Sequence, residues 1–175
     1  MALEIKILVL DTTAFIRLDF PLLQTTNAQF YTTPGVMSEL KDSKSRMNLD
    51  VLKYSDRLKL NSPLNKLVKE LEKRIQLIDP LTTLSQVDIE VLALTLQVKG
   101  SLVSNDLNLQ NTALQLNIPV KVISGKKITD LRKWQLKCRS CGQEYKDPED
   151  ICFVCGGSLK RVLIEKTKLN LDLIE

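Results

Sequence analysis

The chain has 175 residues, 43% of them hydrophobic, with 25 Lys and Arg against 21 Asp and Glu and no histidine. That length accommodates one domain of ordinary size plus a small module. No apolar run approaches the ~18–20 residues needed to span a membrane, and any catalysis must proceed without an imidazole base.

The opening residues Met1 to Lys6 lack the basic start and long apolar stretch of a secretory signal, so a cytoplasmic protein is expected. Residues 5–10 form a short apolar, β-branched run that reads as a buried strand. Asp11 closes it, and a helix-like stretch follows over 14–18. Residues 29–32 read as a second strand. Thr33-Pro34 then starts a helix, Thr as N-cap and Pro at the first helical position, and that helix carries Glu39. The polar residues 42–50 read as loop, and 57–60 as a short strand. Ser62-Pro63 opens a helix to about Arg74. Residues 84–98 form an amphipathic helix, with Val87, Val91, Leu94 and Val98 at three-to-four spacing. A strand at 102–103, a helix over 107–116 and a strand over 120–123 complete the series. Strands alternating with helices predict an α/β domain with a central parallel sheet covered on both faces.

This domain is expected to occupy residues 1–125. A linker over 126–135, a cysteine module over 136–163 and a tail over 164–175 follow. The net charge of +4 is unevenly placed. Residues 1–125 hold 14 basic and 13 acidic side chains, residues 126–175 hold 11 and 8. The positive surplus, which favours a polyanion such as nucleic acid, therefore lies around the module.

All four cysteines fall within 138–155, as Cys138-x-x-Cys141 and Cys152-x-x-Cys155. Four thiolates on two tight turns can close a tetrahedral shell around one structural zinc ion. Gly142, Gly156 and Gly157 are expected to let backbone N–H groups turn toward the sulfurs.

Chemistry must then come from carboxylates. In open parallel sheets, ligands bind beyond the carboxyl ends of the strands. Asp11 ends the first strand, Asp106 follows the strand at 102–103, Asp88 begins the helix before it, and Glu39 lies on the helix after the second strand. Such a set suits magnesium or manganese, which favour oxygen ligands and can activate water for phosphodiester hydrolysis. Competing structural readings exist. Asp88 fits a capping box with Ser85, Asp106 suits the N-cap of its helix, and Glu39 suits a solvated helix face. Asp11 is hardest to explain away, because a charge closing a buried apolar strand is costly without a partner. Asp42, Asp79 and Glu90 read as surface charges.

Four segments carry a family resemblance: Leu10-Asp11-Thr12-Thr13-Ala14-Phe15-Ile16, Pro34-x-x-x-x-Glu39-Leu40, Leu84-Ser85-x-x-Asp88-x-x-Val91-Leu92-Ala93-Leu94 and Val103-Ser104-Asn105-Asp106. They resemble the acidic motifs of PIN-domain nucleases over roughly residues 5–123. With Trp134 and the four-cysteine module behind them, the chain is similar to the archaeal form of the Nin-one-binding (NOB) proteins. The resemblance implies a Rossmann-like PIN domain with a C-terminal zinc ribbon. It implies a metal-dependent endoribonuclease that cleaves the small-subunit (16S) ribosomal RNA precursor at its mature 3′ end. It assigns Asp11, Glu39, Asp88 and Asp106 as catalytic ligands of manganese or magnesium, with Thr13 and Ser104 as supporting hydroxyls. Departures are Ser104-Asn105-Asp106-Leu107, where the family often has Thr-Asp-Asp-Tyr, and Phe153 in place of a frequent proline. Phe153 is expected to pack on the module's small core in preference to offering a face to a base.

On this resemblance the partners are the ribosomal RNA precursor and the small-subunit precursor particle, with a homodimer because PIN domains frequently pair. RNA would be gripped through phosphates by Lys126, Lys127, Arg132, Lys133, Arg139, Lys160 and Arg161. Trp134 suits stacking on a base or, preferably, packing the ribbon on the main domain. The rival functions are a PIN-domain toxin, disfavoured because such toxins usually lack a zinc ribbon, and a non-catalytic RNA-binding assembly factor, disfavoured by four intact carboxylates.

Overall fold

The computed structural model describes residues 5–17, 27–123 and 128–169. Five parallel strands form the main sheet: β1 (Lys6–Leu10), β2 (Ala28–Thr32), β3 (Leu58–Leu60), β4 (Ser101–Val103) and β5 (Val120–Lys121). Their order is β3-β2-β1-β4-β5. The flanking helices are α1 (Thr12–Arg17), α2 (Pro34–Glu39), α3 (Ser43–Tyr54), α4 (Asn65–Ile78), α5 (Gln86–Val98) and α6 (Leu107–Gln115). Val9 and Leu10 of central β1 and Val91 to Leu94 of α5 are fully enclosed. This explains their continuous apolar character: strands and helices buried all round need no polar face.

The expected strands and most helices form. Thr33 caps α2 by accepting the Val36 N–H at 3.3 Å, and Ser85 with Asp88 forms the capping box of α5. Two segments differ. Residues 43–54 are helical where loop was expected over 42–50. Asp42 caps α3 by accepting the Ser45 N–H at 2.9 Å. Its buried stripe is Ser45, Asn48, Leu49 and Leu52, and the Asn48 amide donates to the Phe15 carbonyl at 2.8 Å. Half of that stripe is polar, so hydrophobic periodicity could not reveal it. Helix α4 begins at Asn65 instead of Ser62-Pro63, and its first orphan N–H, of Leu64, is taken by the Gln97 side chain of α5 at 2.8 Å.

A second, antiparallel sheet of order β7-β6-β8 joins β6 (Asp130–Cys138), β7 (Glu144–Tyr145) and β8 (Leu159–Lys168). β6 and β8 pair from Cys138↔Leu159 down to Asp130↔Lys168. Residues 130–135 thus belong to strand β6, and β8 carries the ribbon on to 168. Charged side chains such as Arg132 and Lys133 gave the first stretch a linker-like composition, yet both are exposed strand residues.

The ribbon is docked through α6. The Asn111 amide accepts the Arg132 N–H at 2.9 Å and donates to the Arg132 carbonyl at 3.1 Å, as a neighbouring strand would. Gln115 donates to the same carbonyl at 3.2 Å, and Gln110 accepts the Ile128 N–H at 3.3 Å. Asp79, expected on the surface, is 3% exposed. It lies 3.7 Å from the Arg161 guanidinium of β8, and that partner across the junction is what permits its burial.

Candidate active site and metal centre

The chain leaves β1 toward β2 and β3 on one side, then returns to β4 and β5 on the other. The sheet therefore has its topological switch between β1 and β4, and a crevice opens beyond their carboxyl ends. Asp11 and the segment Ser104-Asn105-Asp106 leave the sheet at that point.

Asp11 is 3% exposed. Its Oδ1 accepts the Ala14 N–H at 2.7 Å, its Oδ2 accepts the Ser104 hydroxyl at 2.6 Å, and the Thr13 hydroxyl reaches it at 2.9 Å. Burial raises its pKa to about 6, further helped by the charge of Asp88 and opposed by the bonds from Ser104, Ala14 and Thr13. The same two hydroxyls tie both sides of the crevice together. Ser104 accepts the Asp106 N–H at 3.0 Å, and Thr13 accepts the Asn105 N–H at 2.9 Å. Each therefore fixes Asp11 against the segment after β4.

The other three carboxylates have local partners. Asp106 caps α6, its Oδ1 accepting the N–H groups of Asn108 and Leu109 at 2.7 and 3.2 Å. Asp88 Oδ2 accepts the N–H and hydroxyl of Ser85 at 2.9 and 2.8 Å. Glu39 is exposed and accepts the Thr12 hydroxyl at 2.5 Å. The competing structural roles of Asp88 and Asp106 are therefore realised at the same rim. Among the described residues, no three of these carboxylates come within 4.8 Å of one another. Even so, the donor set suits a hard divalent cation. It is all oxygen, and its deepest member is a buried carboxylate held by neutral groups, an arrangement that a positive charge relieves. Thr12 escaped the sequence reading, although it stands inside the Asp-Thr-Thr motif.

The cysteine sulfurs do converge, all four within 4.8 Å of one another and none in a disulfide. Cys138 and Cys155 stand 3.5 Å apart, as do Cys141 and Cys152. Zinc–sulfur bonds of about 2.3 Å in a tetrahedron require sulfurs about 3.8 Å apart, so one zinc ion fits. The Tyr145 hydroxyl, 3.1 Å from Cys152 Sγ, draws that thiol down to about 6. The glycines act differently from expectation. Gly142 and Gly156 adopt positive φ, and their N–H groups go to the carbonyls of Cys138 and Cys152, at 3.2 and 2.8 Å. The sulfur of Cys138 takes the Ser140 N–H instead, at 3.4 Å. Glycine supplies the left-handed turn of each knuckle. Gly157 supplies clearance, since a Cβ there would stand 2.7 Å from the Ser140 hydroxyl.

Of the expected RNA contacts, Lys126 and Lys127 lie outside the described residues. Arg132, Lys133, Arg139 and Lys160 are exposed, and Trp134 is half-buried. Arg161 is engaged within the protein: its guanidinium lies 4.8 Å over the Trp134 ring and pairs with Asp79. Phe153 is 71% exposed instead of packed in a core. Its ring meets the edge of Tyr145, at 6.0 Å between ring centres, because so small a ribbon has little interior beyond its cysteines.

A family model described as the PIN domain of ribonuclease matches residues 8–98. The endoribonuclease Nob1 of Pyrococcus abyssi is 34% identical over 164 residues, 93% of this chain and 96% of that protein. Ribonuclease VapC1 of Thermoplasma acidophilum is 32% identical over 155 residues, 89% and 77% of the two chains. The 20S-pre-rRNA D-site endonuclease NOB1 of Saccharomyces cerevisiae is 31% identical over 107 residues, 61% of this chain and 23% of that one.

Proposed function

Because the chain belongs to the PIN-domain endoribonucleases, in their Nob1 branch, we propose that it cuts the small-subunit (16S) ribosomal RNA precursor at its mature 3′ end. The observation that carries the chemistry is Asp11, a buried carboxylate at the topological switch, clamped by Thr13 and Ser104 against the segment that bears Asp106. The choice of RNA rests on two of the relatives, the endoribonuclease Nob1 and the 20S-pre-rRNA D-site endonuclease.

In this proposal Asp11, Asp88 and Asp106 hold magnesium or manganese, and Glu39 completes the set. The bound ion supplies Lewis acidity and makes a coordinated water more acidic. The chain supplies position. Thr13 and Ser104 hold the Asp11 carboxylate in one orientation, the α6 N-terminus holds Asp106, and Thr12 holds Glu39 where it can orient an attacking water. The cut leaves a 3′-hydroxyl and a 5′-phosphate. The cysteines hold one structural zinc, and the exposed cations of the ribbon grip phosphates of the precursor particle in the cytoplasm. Among the described residues, no helix is long and apolar enough to cross a membrane.

The relative named VapC1 keeps a second reading in play. Its match spans 155 residues, more than the nuclease domain alone, so it extends toward the ribbon. The ribbon therefore separates the two readings less well than sequence reasoning expects. One assay distinguishes them. Purified protein is incubated with a short RNA spanning the small-subunit 3′ end and with unrelated transfer RNA, each with manganese, with magnesium and with neither. Manganese- or magnesium-dependent cutting at the mature end, lost in Asp11→Asn, is expected. Cutting of transfer RNA instead favours the VapC reading, and binding without cutting overturns the nuclease site.

A further inference from the structure

We propose that the cavity between α6 and the ribbon is a pocket for one unstacked pyrimidine of single-stranded RNA, walled by Trp134 and Arg161; this rests on the chain being a ribonuclease. The cavity measures about 130 Å³, and Leu107, Asn108, Asn111, Arg132, Trp134 and Arg161 are among its walls.

Place comes first. Leu107 and Asn108 directly follow Asp106, so the pocket adjoins the carboxylate rim. A base held there belongs to a nucleotide near the scissile phosphate. Size comes second. An apolar cavity of about 150 Å³ admits one six-membered ring. A pyrimidine ring is of that size, whereas a purine would have to protrude through the open side.

The chemistry of the walls matches. Unpaired bases are recognised by stacking on aromatic rings and guanidinium planes, with their edges read by polar side chains. Here the Arg161 guanidinium lies 4.8 Å over one face of the Trp134 ring, too close for a base to enter between them, so a base meets the pair from the cavity side; the buried Asp79 stands 3.7 Å from the guanidinium. Asn108 brings an amide and Arg132 a second guanidinium. The acidic wall residue, Asp130, is neutralised by Lys166 at 3.0 Å.

The pocket is also preformed. Asn111 clamps the Arg132 peptide from both sides, so the wall on α6 and the wall on β6 do not slide. Beside it the β6–β8 register shifts: Lys133 pairs with Glu165 and Trp134 with Leu163, so Ile164 of β8 is the extra residue opposite Trp134. Such bulges redirect side chains and recur beside binding sites. If Trp134 served only to pack the ribbon on the domain, its ring would close this space; instead it is half-buried and borders the cavity.

Trp134 is the sole tryptophan of the chain, so its fluorescence reports on the pocket. The zinc-loaded full chain carrying Asp11→Asn, which prevents turnover, is titrated with oligouridine and oligoadenosine of equal length. Oligouridine is expected to quench Trp134 and oligoadenosine to do so several-fold less. An open stacking surface gives the reverse order, since purines stack more strongly, and that order overturns the pocket, as does the absence of quenching by either. Asn108→Phe, at an exposed position of α6, should fill the mouth. It should weaken oligouridine binding about ten-fold or more, measured by anisotropy of a labelled oligonucleotide, in line with the loss of one stacked base. Unchanged affinity in that variant overturns the pocket. Cleavage by the wild-type chain is measured in parallel. Quenching without cleavage removes the nuclease reading and leaves the pocket; cleavage without quenching does the opposite.

Discussion

The two candidate metal sites are built on opposite plans. In the ribbon, four sulfurs come within 4.8 Å of one another. At the sheet rim, Asp11 is clamped, and the other three carboxylates are each drawn aside by a hydrogen-bond partner: Asp88 by Ser85, Asp106 by its own helix and Glu39 by Thr12. A thiol forms weak hydrogen bonds, so the knuckle turns do most to decide where it points. A carboxylate accepts strong ones and fills any cap within reach. A site of thiolates is thus preorganised by backbone, whereas a site of carboxylates stays adjustable, as suits a centre that exchanges water and substrate.

The sharpest way to break this comparison is to remove the ribbon's metal. Structural zinc contributes about 10–16 kcal/mol in small all-ligand modules, far more than a ribbon with little core replaces. A strong chelator, or Cys152→Ser, should unfold residues 138–155 and release Trp134 into water, seen as a red shift in its emission. The main sheet should keep its far-ultraviolet dichroism. Retention of a native Trp134 spectrum without zinc would show that the ribbon folds on its own contacts. Next in size is Asp11→Asn. Loss of its charge should reduce cleavage by about 10³-fold or more, equivalent to about 4 kcal/mol, while the protein stays folded by dichroism. Cleavage within ten-fold of wild type would place the chemistry elsewhere.

The sequence makes the cysteine site nearly complete, because spacing within Cys-x-x-Cys fixes geometry locally. The parallel sheet is also legible, since β1 and α5 are enclosed and correspondingly apolar. Asp11 stands out because a charge ending an enclosed strand requires a reason. What stays hidden depends on polar groups meeting across the fold. Helix α3 buries Ser45 and Asn48, residues that a hydrophobicity pattern counts as surface. Asp79 looks like a surface charge until Arg161, 82 positions later, is seen beside it. Asn111 and Gln110 lie on α6, and that their amides hold the ribbon shows only in the structure. The single-residue caps at Asp88 and Asp106 are visible in sequence. That a cap and a candidate ligand coincide at one rim is visible only in the structure.

A smaller effect follows from the burial of Asp11. Its carboxyl titrates at about 6 in the fold against 3.8 in the unfolded chain. The folded state therefore binds this proton more tightly. The stability it contributes is full below 3.8 and is lost as pH rises through about 6, which amounts to about 3 kcal/mol at most. Without divalent cation, the melting temperature should fall as pH rises from 4 to 7 by more in the wild type than in Asp11→Asn. Manganese should offset the fall at neutral pH. Parallel pH profiles for the two proteins would show that Asp11 is not a buried charge awaiting a cation.

The smallest test addresses the hinge of the comparison, Ser104. Its hydroxyl donates to Asp11 and accepts from the Asp106 backbone, so with Thr13 it links the two sides of the rim. Ser104→Ala removes one bond from the Asp11 carboxylate and leaves the Asp106 N–H to find water, at a cost of about 1–2 kcal/mol in stability. The bond from Ser104 is the largest influence holding Asp11 down against burial. Its loss should move the Asp11 titration upward, and the pH at which manganese begins to stabilise the protein should move up with it. Ser104→Thr keeps the hydroxyl and should restore the wild-type profile. A general loss of packing would lower the melting temperature equally at every pH, and Thr would not reverse it. The rim carboxylates are thus expected to respond to a single hydroxyl, whereas the cysteine cluster, set by its turns, should not respond to this change at all.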